Sequence, residues 1–153
     1  MRTLEPLLRE HRFFRLLDDA QVHFMTECAR NVRFRAGEFL FREGAEADSL
    51  ALIRTGRVTL EVHLPARGTT QLENVGAGDI LGWSWLFPPY RWQLDARAVE
   101  PVVALVFDAK CVRTKMESDP RLGYPIAKEL LLNMHERLAR VRMARLDLYR
   151  SDV

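Results

Sequence analysis

The chain has 153 residues, 48% of them hydrophobic and 29% charged, with a formal net charge of +2. That length supports one domain with a sizeable core, and the composition is that of an ordinary globular protein. The near-neutral balance argues against an extended basic surface for nucleic acid, no apolar run is long enough to span a bilayer, and the opening MRTLEPLLRE is not a signal peptide.

The first predicted element is a short helix over residues 4–8, followed by a turn-rich stretch carrying Phe13, Phe14, Leu16 and Leu17. Asp18 and Asp19 are suited to cap a second helix over residues 20–29, where Val22, Met25 and Cys28 recur at helical spacing. Residues 1–31 therefore read as an N-terminal helical part.

From residue 32 to residue 108 the period changes. Gly37, Gly44, Gly56, Gly68, Gly76, Gly78 and Gly82 punctuate segments of roughly four to eight residues, the length of half-buried antiparallel strands. Phe39, Phe41, Leu50, Leu52, Val58, Leu60 and Val62 alternate with polar neighbours, a period of two. Many short strands with regular glycine turns mean a sandwich or a barrel, closed around side chains or around one small ligand.

Within this part, residues 81–98, LGWSWLFPPYRWQLDARA, hold all 3 tryptophans of the chain. Pro88 and Pro89 force a turn in the middle. Aromatics this dense in a loop fill a core or line a pocket, and mixed use is expected here.

After residue 108 the pattern is helical again. A short helix over residues 109–118 ends before Asp119 and Pro120. A longer one runs from about residue 122 to about residue 149, with Pro125 expected in its first turn because it would not fit the interior. Ala127, Leu131, Met134, Leu138, Val141 and Leu148 fall on alternating three- and four-residue steps, interrupted by Arg145. That seam is long enough for a parallel helix pair, so a homodimer through Leu131, Met134, Leu138, Val141 and Leu148 is expected. The first turns should pack on the barrel and the later ones outrun it. Arg137, Arg140, Arg142, Arg145 and Arg150 make this end basic, read as a solvated face rather than a nucleic-acid site.

No metal or catalytic chemistry is legible. His11, His23, His63 and His135 show no ligand spacing with one another or with a cysteine. A nucleophile elbow, a P-loop and a glycine-rich dinucleotide pattern are absent. Cys28 and Cys111 lie far apart in unlike contexts, so no disulfide framework is implied and the cytoplasm is the expected compartment.

The order helix, glycine-turned barrel, long helix resembles the cyclic nucleotide-binding domain of bacterial catabolite-activator-type regulators, protein kinase A regulatory subunits and cyclic-nucleotide-gated channels. The resemblance covers roughly residues 14–148. Its densest piece is RAGEFLFREGAEADSLALIRTGRVTLEV, through Gly37, Leu40, Gly44, Ala47, Leu52, Gly56 and Val58, and GAGDILGWSWLF matches the approach to the family's phosphate-binding cassette. The resemblance implies an α+β, mainly β fold: a double-stranded β-helix or jelly-roll barrel (residues 32–108, cassette 81–98) between the N-terminal helices and C-terminal helices (109–153).

It also implies a ligand pocket at Gly82, Trp83, Ser84, Arg91, Trp92, Gln93 and Arg97 of the cassette and at Val141 and Arg142 of the long helix. The departures there are large. The family's cassette begins Gly-Glu, the Glu accepting from the ribose 2′-hydroxyl; here Gly82 is followed by Trp83. The Arg that meets the cyclic phosphate is replaced by Trp92 when the segments are anchored on Arg97 and Ala98, and Arg91 lies one place earlier. Val141 and Arg142 stand near the positions that usually offer hydroxyls to the purine. Two lost charge-assisted hydrogen bonds, on the order of 1.5–3 kcal/mol each, weaken binding roughly 100-fold or more.

The sequence thus points to a cytoplasmic sensor or regulatory domain, not an enzyme, with no helix-turn-helix reader following the long helix. Its ligand is a nucleotide or another small molecule, with cAMP and cGMP disfavoured. The alternative is a ligand-free dimeric adaptor for a protein partner, its pocket plugged by aromatic side chains. Neither nucleic acid nor membrane is expected as a partner, and no metal or firm cofactor is implied.

Overall fold

The structure, a computed structural model, describes residues 4–151, with side chains through residue 146. Helix α1 (Glu5–Glu10) is followed by a 3-10 turn over Arg12–Phe14 and by α2 (Asp19–Glu27). Asp18 caps α2 in a capping box, its carboxylate accepting from Gln21 N while the Gln21 side chain accepts from Asp18 N. Seven strands follow: β1 (Ala29–Phe34), β2 (Phe39–Phe41), β3 (Ser49–Thr55), β4 (Val58–Leu64), β5 (Gly68–Val75), β6 (Asp95–Ala98) and β7 (Val102–Asp108). Helices α3 (Ala109–Ser118) and α4 (Pro120–Ser151) follow β7.

The strands form two antiparallel sheets, one in the order β1-β7-β3 and one in the order β2-β6-β4-β5. Strand alternation splits the interior into two cores. Ile53, Val58, Leu60, Val75, Ala96, Ala98, Val102, Ala104 and Val106 fill the space between the sheets. Leu50, Leu52, Leu105 and Phe107 point the other way and are covered by Leu8, Phe13, Phe14, Val22 and Met25 from the N-terminal part and by Val112, Leu122, Ile126 and Leu130 from α3 and α4. The second core is the larger, which is why the helices on either side of the barrel belong to the same folding unit. The tight turn between β3 and β4 needs Gly56: its φ is +91°, and a Cβ there would stand 2.3 Å from the Pro101 carbonyl oxygen.

Register shifts interrupt the strand pairing at three places, one of them between Ile53 and Thr55 where β3 pairs with β7. A register shift between Phe39 and Phe41 pairs Phe39 with Arg97 and Phe41 with Ala96, so the two aromatics that share a period in sequence do not share a face. Another shift, between Leu60 and Glu61, accompanies burial of the Glu61 carboxylate, which Arg97 meets with two hydrogen bonds of 2.9 and 3.3 Å.

Two expectations are corrected here. Cys28 and Cys111 are disulfide-bonded, 83 residues apart with Cα atoms 6.2 Å from each other, inside the usual range for such a bond. The reason is topological: β1 runs antiparallel beside β7, so the residue before β1 meets the helix after β7, and sequence distance says nothing of it. The second concerns Pro125, which lies inside α4 rather than in its first turn because α4 begins at Pro120. A helix-interior proline leaves the carbonyl four residues earlier without its donor. Here that carbonyl belongs to Arg121, and the Gln21 side-chain amide donates to it at 2.9 Å. Gln21 thereby ties α2 to α4 as well as closing the capping box.

His11 is buried, its Nδ1 accepting from Phe13 N at 3.2 Å, and burial pushes its pKa down from 6.5 to about 4. The unfolded chain therefore takes up this proton first as pH falls, so the stabilisation is whole above pH 6.5 and is lost as pH falls through about 4. The shift corresponds to about 3 kcal/mol. His11→Asn keeps an acceptor and removes the titration; urea unfolding of the two proteins across that range should show a shallower acid limb for the variant.

Candidate functional site

The segment that carries most of the cassette leaves β5 at Val75 and reaches β6 at Asp95 without a regular element between. It is fixed instead by its aromatics. Trp85 is fully buried, and its indole N–H donates to the Gly82 carbonyl at 3.0 Å. Arg113 of α3 donates to the Trp85 carbonyl and lies over the Tyr90 ring at 4.1 Å. Trp92, 5% exposed, stacks on Phe41 with ring centroids 3.7 Å apart and planes within 6° of parallel. The Trp92 backbone also donates to the Ala45 carbonyl at 3.0 Å and accepts from Gly44 N at 2.8 Å. A Cβ on Gly82 would come 2.8 Å from the Trp92 ring, so glycine is required there to let the indole lie against the backbone. The space beside Gly82 is filled by Trp92.

Trp83 has a different environment. It is half-buried, its indole N–H is enclosed without a partner, and the Arg137 guanidinium lies 4.3 Å from its ring centroid, within cation–π range. Arg137 is only 3% exposed. It donates to both carboxylate oxygens of Glu73 on β5, at 2.7 and 2.9 Å, and to the Ile80 carbonyl at 2.6 Å. The fork-on-carboxylate geometry is the strong form of such a pair, and its burial leaves neither partner free to be removed cheaply.

Outward from this cluster lies an open apolar slot of about 460 Å³, lined by Glu73, Trp83, Leu131, Met134, His135, Arg137, Leu138 and Val141. Leu131, Leu138 and Val141 are 65%, 48% and 43% exposed. The face of α4 that meets the barrel is another one: Leu122, Ile126, Leu130, Asn133 and Arg137 are buried along it. The expected division of labour by turns is thus a division by faces, with the seam running beside the barrel-facing stripe. Leu148, also expected in the seam, lies outside the residues whose side chains are described.

Of the expected pocket residues, the structure brings Gly82, Trp83 and Trp92 together at the cassette, and Val141 lines the same slot as Trp83. Ser84 is half-buried beside them. The others stand apart. Arg91 is exposed and points to the Gly44 carbonyl at 3.5 Å, Gln93 and Arg142 are exposed, and Arg97 is engaged by Glu61. Glu73 and Arg137 were missed as site residues. Arg137 was grouped with the solvated basic end; the signal that locates it is the stripe 122-126-130-133-137, which carries the barrel-facing period to an arginine. Glu73 had no comparable signal, being one polar residue on an edge strand. Among the described residues, no group of three or more His, Cys, Asp or Glu is placed to hold a metal ion, and no helix is long and apolar enough to cross a membrane.

Residues 31–119 match the sequence profile of the cyclic nucleotide-binding domain. The chain belongs to the cyclic nucleotide-binding domain family. Its likeness to a CRP-like cAMP-activated global transcriptional regulator of Mycobacterium tuberculosis is 25% identity over 150 residues, 98% of this chain and 65% of that protein. The chain thus spans about 65% of the length of the curated relatives it matches. A solved structure from Geobacter metallireducens, described as a candidate cyclic nucleotide-binding protein, is 28% identical with a TM-score of 0.80, over 90% of this chain and 99% of that one. The regulatory subunit of a cAMP-independent protein kinase A from Trypanosoma brucei shares the fold at 19% identity and a TM-score of 0.73, over 94% of this chain and 50% of that one. The expected β-roll with a C-terminal helix is therefore the fold of this family member.

The three tryptophans of this family member should separate in a denaturation series. Trp85→Ala and Trp92→Ala each empty a packed site and should lose about 3–5 kcal/mol. Trp83→Ala removes a half-buried ring and should lose less than half of that. Equal losses at all three would place Trp83 in the core as well.

Proposed function

We propose that the chain is a cytoplasmic, homodimeric regulatory domain whose cyclic-nucleotide pocket is closed by its own side chains, so that it works through protein contacts rather than by binding cAMP or cGMP. The observation that carries this reading is Trp92, stacked on Phe41 and lying against Gly82 where the resemblance expects phosphate to sit. The electrostatics support it. A cyclic phosphate needs a cation near the cassette; Arg137 is held by Glu73, Arg97 by Glu61, and Arg91 points to the β2–β3 turn. The ribose acceptor has become Trp83, an indole covered by a guanidinium. Possession of this fold does not entail cAMP dependence, since a protein kinase A regulatory subunit described as cAMP-independent shares it.

The dimer rests on the exposed seam of α4. Leu131, Met134, Leu138 and Val141 present an apolar stripe that a second copy of the helix covers in parallel. The Mycobacterium tuberculosis regulators extend beyond the length matched here, so the reading concerns this domain alone. A regulatory role rather than an enzymatic one accords with the family and its regulator relatives.

Isothermal titration with cAMP and cGMP should give no binding tighter than about 100 µM. A dissociation constant in the low micromolar range would show that the pocket opens and would restore the sensor reading. Sedimentation should find a dimer at tens of micromolar, a scale set by ordinary affinities, and Leu138→Glu should leave a monomer because it buries two like charges across the seam.

A further inference from the structure

The Cys28–Cys111 bond has a position that a structural staple does not require. Cys28 caps the C-terminus of α2 and is buried; Cys111 lies in the first turn of α3 and is half-buried. The backbone joins the same two places, Asp108 N donating to the Cys28 carbonyl at 2.9 Å and the Asp108 carboxylate accepting from Cys111 N at 2.7 Å. With those hydrogen bonds in place, the two thiols stay adjacent when the bond is broken, so reduction is reversible without unfolding. Two residues beyond Cys111, Arg113 holds the Trp85 carbonyl and the Tyr90 ring. One short helix therefore connects the sulfurs to the cassette.

We propose that Cys28 and Cys111 form a thiol–disulfide switch that sets the order of the aromatic cassette through α3 and Arg113. It rests on the proposed function for the compartment, since in a reducing cytoplasm the dithiol is the resting form and the bond reports oxidation. The oxidant class is a low-molecular-weight disulfide. The Cys111 thiolate, the more accessible sulfur and one placed at a helix N-terminus, attacks one sulfur of the small disulfide and releases one small thiol. The Cys28 thiolate then attacks Cys111 sulfur in the mixed disulfide and releases the second. The protein sulfurs lose two electrons to the small disulfide, and the two thiol protons leave with the two released thiols. In the oxidised form α3 is pinned to the end of α2 and Arg113 is held over Tyr90. In the reduced form α3 keeps its Asp108 cap but loses the covalent tie, and the cassette loosens.

The test equilibrates the full chain against mixtures of reduced and oxidised glutathione and reads the bond by mass spectrometry after acid quench. Tryptophan fluorescence with acrylamide quenching is followed in parallel. The expected result is a midpoint inside the range of mixtures, with quenching rising severalfold on reduction, and a melting temperature lower by roughly 10 °C in the reduced form. Arg113→Met should leave the midpoint unchanged and abolish the difference in quenching. Cys111→Ala should behave as the reduced form in every mixture. A bond intact in the most reducing mixture is a permanent staple and overturns the proposal, as does a bond that never forms in the most oxidising one. Equal quenching of the two forms overturns the link to the cassette. None of these readouts depends on dimerisation or on nucleotide, so failure of the proposed function would be seen separately, in the titration and sedimentation described for it.

Discussion

A buried guanidinium has to be paired, and the pairing of Arg137 is the constraint on which the rest of this structure depends. Its fork closes on Glu73 of β5, its third nitrogen reaches the Ile80 carbonyl, and its face covers Trp83. Three consequences follow from one residue. Helix α4 is registered against the four-stranded sheet, because Arg137 can meet both oxygens of Glu73 at only one height. The seam of Leu131, Met134, Leu138 and Val141 is turned outward, since it lies beside the stripe that Arg137 ends. And the guanidinium that covers Trp83 is neutralised within the protein by Glu73.

The aromatic cassette is packed by its own rings. A cyclic nucleotide site needs small residues, backbone N–H groups facing outward and a free cation. Trp92 instead lies flat between Gly82 and Phe41, and Trp85 ties the Gly82 carbonyl from the core side. The large rings leave no gap between Gly82 and Phe41, and unfilled apolar space is unfavourable. The outer surface carries the exposed α4 seam and the slot beneath it.

Most of the fold was legible in the sequence, and for physical reasons. Glycine turns and a period of two mark antiparallel strands, and the changes to a helical period near residues 31 and 108 mark where the barrel begins and ends. Asp18 was readable as a cap because its neighbours were apolar at helical spacing. The misreadings have a common cause, which is contact between residues distant in sequence. The Cys28–Cys111 bond depends on β1 pairing with β7. Pro125 is tolerated inside α4 because Gln21, on another helix, donates to the carbonyl it leaves free. Glu73 and Glu61, which no sequence pattern singles out, are each paired to an arginine many residues away. At the site, the departures from the family's cassette, Trp83 and Trp92 where Glu and Arg are usual, were visible from residue types alone. That Trp92 would lie against Gly82, and that Arg137 would be covered by Trp83, was not.

A double-mutant cycle between Glu73 and Arg137 measures the central interaction directly. Glu73→Gln, Arg137→Met and the double variant are unfolded in urea beside the wild type, and the coupling is the part of the double loss that the single losses do not add up to. A buried bidentate pair should give a coupling of at least about 1.5 kcal/mol, with the double variant more stable than Glu73→Gln alone because no charge is then left unpaired. A coupling within about 0.5 kcal/mol of zero would contradict it: Arg137 would then be free of Glu73 in solution, and the cassette would have a cation to offer.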